Sequence, residues 1–332
     1  METSTPAAAP GDFAVASRQL QQLRDLLSGV VVGQSDLVDA LITALFAGGH
    51  VLIEGLPGLG KTHLAKALAA ALGLRGARIQ CTPDLMPSDV TGTEIYHAGD
   101  TAFEFRPGPV FAELLLVDEI NRATPRTQAA LLEAMQERQV THAGVTRPLP
   151  ALFCVLATQN PIELEGTYPL PEAQLDRFMF KLVVPYPERG ALRAMLDVSL
   201  DAEPADTLVA ITQPAEVMRI MSLCRAVIAS ERCKAAAVDL VLATQPGVAG
   251  TTDDTRRHIR YGASPRALQA LVRAARVRAV MAGRAHLDIE DIATVALPVL
   301  RHRVLLRLES ELDGLDADTL LAGVIDAWRQ SL

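Results

Sequence analysis

Apolar residues recur at helical spacing over residues 13 to 28, where Leu20, Leu23, Leu26 and Leu27 share a face, and again at Leu37, Val38, Leu41, Ile42, Leu45 and Phe46. The spacing predicts two amphipathic helices, the second capped by Ser35, with Val30-Val31-Val32-Gly33-Gln34 extended between them. The pattern then changes. His50-Val51-Leu52-Ile53-Glu54, Leu114-Leu115-Leu116-Val117 and the stretch 152 to 157 carry apolar runs without alternation, as buried strands of a parallel sheet do, and a further strand is expected over 178 to 184. A short strand is expected over 78 to 82. Leu64, Leu68 and Leu72 mark a helix from Lys61 that Gly73 stops, and Thr124-Pro125 starts another ending near Arg138.

Residues 93 to 96 and 102 to 105 flank His97-Ala98-Gly99-Asp100, and residues 139 to 149 surround Ala143-Gly144; both read as inserted hairpins. Beyond Pro187 no convincing strand remains, and the chain reads as helices broken by loops at 200 to 213 and 244 to 263. The expected organisation is a disordered start over residues 1 to 11, an α/β domain over 12 to 187 with hairpin insertions near 90 to 110 and 139 to 149, and an all-α domain over 188 to 332.

Composition narrows the class. The 332 residues are 49% hydrophobic and 21% charged, enough for a substantial core. No membrane span or signal peptide is indicated, so a cytoplasmic location is expected. Cys81, Cys154, Cys224 and Cys233 are scattered without metal-ligand spacing and read as reduced thiols. A net charge of -8 argues against a surface devoted to nucleic acid.

The chemistry begins where the first apolar strand meets Gly55-Leu56-Pro57-Gly58-Leu59-Gly60-Lys61-Thr62. Glycines at this spacing turn backbone N–H groups around phosphate oxygens, Lys61 adds a cation, and Thr62 a hydroxyl for Mg²⁺. The helix that starts at Lys61 aims its positive end at the same phosphates. Asp118-Glu119 ends another parallel strand and so faces the same crevice. Asp118 is expected to hold Mg²⁺, mainly through water, and Glu119 to activate the attacking water. Asn160, after the next strand, can donate its amide to a γ-phosphate or the lytic water, although Asn-Pro alone also marks a turn. Arg177 and Arg266 can stabilise a phosphoryl transition state; for either, a surface ion pair is the plain alternative, with Asp176 the evident partner for Arg177.

The order of these signals, with Val32-Gly33-Gln34, the stretch 80 to 92, Phe105-Arg106-Pro107-Gly108-Pro109-Val110, Leu175-Asp176-Arg177-Phe178 and Ser264-Pro265-Arg266, resembles an AAA+ ATPase module, and more narrowly the MoxR family, over roughly residues 15 to 330. The resemblance implies an αβα sandwich with a five-stranded parallel sheet followed by an all-α lid, with ATP and Mg²⁺ as ligands. Val32, Gly33, Gln34, Gly55, Pro57, Gly58, Leu59, Gly60, Lys61, Thr62 and His63 would bind nucleotide, and Thr62 and Asp118 the metal. Glu119 would be the catalytic acid, Asn160 the first sensor, Arg177 a finger given to the neighbouring subunit, and Arg266 a second sensor reaching its own subunit's site. The hairpins match the helix-two insert and pre-sensor hairpin of the clade that includes magnesium-chelatase motors.

The family's implied partners are further copies of the chain in a ring, taken as a hexamer, a von Willebrand A domain protein, and a protein client to be remodelled or matured. A magnesium-chelatase-like motor, a DNA-acting motor, opposed by the charge, and a nucleotide-gated scaffold stay open. Arg301-His302-Arg303 has no assigned role beyond a basic cluster meeting carbonyl ends.

Overall fold

A computed structural model describes residues 9–31, 33–56, 60–97, 102–161, 166–186, 188–190, 193 and 210–332. Helix α1, Pro10–Val30, begins earlier than the apolar spacing suggested, because Pro10 occupies its first turn and the Asp12 carboxylate accepts from the Ala9 N–H at 2.9 Å. It also ends later, so only Val31 of the expected extended stretch is extended, Gly33 turns at φ 76°, and Val32 lies outside the described residues. Helix α2, Ser35–Phe46, buries the six predicted apolar residues, but Gln34 rather than Ser35 is its N-cap and no side chain caps it.

The α/β part then runs β1 Val51–Glu54, α3 Lys61–Ala71, β2 Gly76–Gln80, α4 Pro87–Thr91, β3 Gly92–His97, β4 Ala102–Pro107 and β5 Leu114–Asp118. It continues with α5 Pro125–Glu137, β6 Gln139–His142, β7 Val145–Pro148, β8 Cys154–Gln159, α6 Glu172–Leu175 and β9 Phe180–Val183. Strands β2, β5, β8, β1 and β9 pair in that order, all parallel. The hairpins form as expected, β3 with β4 and β6 with β7; residues 98–101, at the tip of the first, lie outside the described residues.

Alternate residues of the strands feed two apolar cores, one on each face. Val51, Ile53, Leu114, Leu116, Cys154, Leu156, Phe180 and Leu182 pack with α1, α2 and α3, whereas Leu52, Leu115, Val117, Val155 and Ala157 pack with α5 and the base of the hairpins. Helices after residue 210 join the first core, where Leu271, Val277, Ile292 and Val299 are fully buried. The segment 244 to 263, read as a loop, instead holds the helix Asp253–His258, capped by Thr252, and the strand Ile259–Tyr261, which pairs with Leu305–Leu306. Both elements are too short to leave a periodic signature. All four cysteines are buried and unpaired, and burial pushes the Cys81, Cys154 and Cys224 thiols up to about 12, keeping them protonated.

Candidate active site

Parallel registry brings the polar ends of four strands to one edge. Gln80 stands opposite Asp118, and Glu54 opposite Gln159. Gly55 continues from β1, its N–H donating to the Gln159 carbonyl at 3.3 Å. Pro57, Gly58 and Leu59 lie outside the described residues. Gly60 caps α3 at φ 76°, a left-handed conformation that favours glycine, so the helix starts at Lys61 as expected. Lys61 Nζ donates to the Gly55 carbonyl at 2.6 Å, and Thr62 Oγ1 lies 3.5 Å from Asp118 Oδ2. His63 follows in the first turn, and Gly33 and Gln34 precede α2.

Burial lowers the Lys61 pKa, while Asp118, Glu119 and Glu54 oppose that shift. These acids define the electrostatics of the edge. Asp118 is buried, accepts from Thr158 Oγ1 at 3.3 Å and pairs with Arg78 Nε at 2.7 Å. Glu119 turns into the left-handed region at φ 56°; its carboxylate accepts from Gln80 at 3.0 Å and Arg122 at 3.2 Å. Asn160 is buried directly after β8, its carbonyl accepting from Asn121 at 3.5 Å. A hydroxyl and a carboxylate converge at Thr62 and Asp118, a hard-oxygen donor set that suits Mg²⁺, which takes few protein ligands and fills its shell with phosphate and water. Among the described residues no three His, Cys, Asp or Glu side chains could hold a metal by themselves.

Thr158, Arg78 and Gln80 are the residues that sequence reasoning missed. Gln80 ends the exposed edge strand β2 in register with Asp118, and Thr158, near the end of β8, meets the Asp118 carboxylate through its hydroxyl; strand pairing around Asp118 is the signal that would have found them.

The two arginines lie elsewhere. Gly48, His50, Arg138, Asp176, Arg177, Arg266, Arg273 and Arg303 line a cavity of about 270 Å³ at the amino end of β1 and β9. Strands rise about 3.3 Å per residue, so β1 alone separates this edge from the phosphate loop by roughly 13 Å. Arg266 pairs there with Asp176 at 3.6 Å. The expectation that it reaches its own subunit's phosphates is therefore corrected: the helical part seats the start of Pro265–Met281 against the opposite edge. The Asp176–Arg177 ion pair does not form either. The Asp176 carboxylate is taken by Arg303 at 2.8 Å, Arg266 and the Ser264 hydroxyl, while Arg177 Nε is buried with no partner among the described residues.

Residues 50–180 match the model of the ATPase family associated with various cellular activities (AAA), and residues 252–322 that of the AAA lid domain. The chain is 39% identical to Chaperone MoxR1 of Mycobacterium tuberculosis (strain H37Rv) over 296 residues, covering 89% of this chain and 78% of that protein. The chain belongs to the MoxR family of AAA+ ATPases. Protein YeaC of Bacillus subtilis (strain 168), itself uncharacterised, is 41% identical over 303 residues, 91% of each chain. A crystal structure of a candidate ATPase from Cytophaga hutchinsonii superposes with a TM-score of 0.86 at 38% identity, covering 95% of this chain and 96% of that one. The family relationship accounts for the five-stranded sheet and the helical lid together. Among the described residues no helix is long and apolar enough to cross a membrane.

Proposed function

We propose that this chain hydrolyses ATP to ADP and phosphate at the subunit interfaces of a homo-oligomeric ring, a hexamer in this reading, and uses the cycle for chaperone-like remodelling or maturation of protein complexes. One observation carries the reading: Arg177 and Arg266 sit at the edge of the sheet opposite their own phosphate loop, and Arg177 Nε is buried with no partner among the described residues. A neighbour's triphosphate is the group that would partner Arg177, with Arg266 beside it on the Asp176 carboxylate.

In this reading Lys61, Thr62 and Asp118 hold the phosphates and Mg²⁺, whose chemistry is to neutralise and orient phosphate oxygens. Gly33, Gln34 and Val32 flank the base. Glu119 takes the proton of the attacking water, Asn160 orients it, and the neighbour's Arg177 and Arg266 stabilise the charge that spreads over the phosphoryl oxygens. The hairpin β3–β4 carries Tyr96 and Phe103, both exposed with rings 5.2 Å apart, as apolar contacts for a client polypeptide. The partner is a von Willebrand A domain protein. A gene for one beside this chain's gene would support that assignment, and tetrapyrrole-pathway neighbours would favour a chelatase motor instead.

Mixing Lys61→Ala subunits, which lack a working phosphate loop, with Arg177→Ala subunits, which lack the finger, tests the shared site. The expected result is turnover in the mixture well above either variant alone. A mixture that assembles and stays as inactive as its components overturns it.

A further inference from the structure

Arg301-His302-Arg303 meets the segment that carries Arg177 from the lid side. Arg303, only 3% exposed at its side chain, turns its guanidinium onto that segment: Nε donates to the Asp176 carboxylate at 2.8 Å, Nη2 to the carbonyls of Asp176 at 3.2 Å and Phe178 at 2.6 Å, and Nη1 to the Met179 carbonyl at 3.0 Å, with a further bond to the Val299 carbonyl in the lid itself. His302 Nε2 donates to the Phe178 carbonyl at 3.0 Å, and Arg301 to that of Lys181 at 3.4 Å. A second lid contact lands on the same carboxylate, from Ser264 Oγ at 3.1 Å. Arg177 is thus flanked by two pinned residues, Asp176 and the fully buried Phe178.

We propose that Arg303 is a positioning residue that ties the placement of Arg177 to the seating of the lid, so that the lid of one subunit sets the hydrolysis rate in its neighbour's site. The inference rests on the reading of Arg177 as a finger given to that neighbour. Lysine cannot replace Arg303, because a single ammonium cannot span a carboxylate and several carbonyls in a fixed fork. A displacement of about 1 Å at a group that stabilises the transition state is enough to cost on the order of 10²-fold.

The test isolates the finger-giving side. Arg177→Ala subunits supply the phosphate loops, and Lys61→Ala subunits, with or without Arg303→Lys, supply the fingers; turnover per assembled ring, kcat and KM for ATP are then measured. Arg303→Lys in the donor is expected to lower kcat roughly 10- to 100-fold with KM unchanged. A milder donor variant, Asp176→Asn, keeps the shape of the clamp while weakening its charge-assisted bonds, and is expected to fall between the two even if Arg303→Lys donors fail to assemble. Equal kcat per ring with and without the substitutions overturns the proposal, and so does a loss accounted for wholly by fewer rings. No turnover with unmodified Lys61→Ala donors overturns the reading of Arg177 itself, a different outcome.

Discussion

The backbone N–H of Glu119 donates to the Thr158 hydroxyl at 2.9 Å, and this bond joins the candidate base, held at φ 56°, to the end of the adjacent strand. A non-glycine residue in that conformation costs of order 1 kcal/mol or more, so surrounding bonds must hold it. Thr158→Val keeps the shape and removes the acceptor. The expected outcome is a loss of about 1–3 kcal/mol in stability, from the half-buried Glu119 N–H left without its acceptor and the Asp118 carboxylate without one of its donors, and a roughly tenfold lower kcat, read by denaturant unfolding and steady-state turnover.

Glu119→Gln retains the size of the side chain and its hydrogen-bonding reach but cannot take a proton at neutral pH. Turnover is expected to fall by about 10²- to 10⁴-fold while nucleotide binding persists. Equal turnover in the variant would remove Glu119 as the base.

Arg78 and Thr62 both lie against Oδ2 of Asp118, the cation at 2.7 Å and the hydroxyl at 3.5 Å. Arg78 therefore competes with Mg²⁺ for the carboxylate. Its side chain is 51% exposed, which keeps the competition modest. Arg78→Ala is expected to lower the Mg²⁺ concentration for half-maximal turnover by roughly 2- to 5-fold. An unchanged Mg²⁺ dependence would count against that competition.

His50 is buried, accepts from the Val155 N–H at Nδ1 at 3.0 Å, and faces the Met135 carbonyl with Nε2 at 3.3 Å. Burial, helped by Arg138, lowers its pKa from the ordinary 6.5 to about 3. The fold thus holds the neutral ring while the unfolded chain binds a proton near 6.5. Its stabilising contribution is complete above 6.5 and is lost progressively as pH falls toward 3. His302, buried and also lowered, acts in the same direction. His50→Gln is expected to be less stable at pH 7, with a shallower fall in unfolding free energy between about pH 6.5 and 5. A slope equal to the parent's would contradict the assignment.

The phosphate-loop flanks were legible because β1 and α3 carry their own patterns: an unbroken apolar run ending in Glu54 and Gly55, then Leu64 and Leu68 at helical spacing. Thr124 was legible as a cap because its hydroxyl accepts from the Thr127 N–H, a local bond. Strand limits were less so: β2 begins at Gly76 rather than 78, and β8 runs from Cys154 to Gln159 rather than 152 to 157. β8, buried along nearly its whole length, has no alternation to mark its ends, and β2 is an edge strand with a single buried residue, Ile79, to signal it. The side of the sheet reached by Arg266, and the grip of Arg303 on 176 to 179, depend on contacts more than 80 residues apart in sequence, with Asp176 to Ser264 separated by 88 and to Arg303 by 127. Local pattern carries no information at that range.

If the complete site forms only between subunits, turnover per subunit must follow assembly, which dilution of the protein, with sedimentation of the same samples, measures. The specific rate is expected to rise from near background as rings form, with the two midpoints coinciding. A rate per subunit that stays constant on dilution to monomer would contradict it.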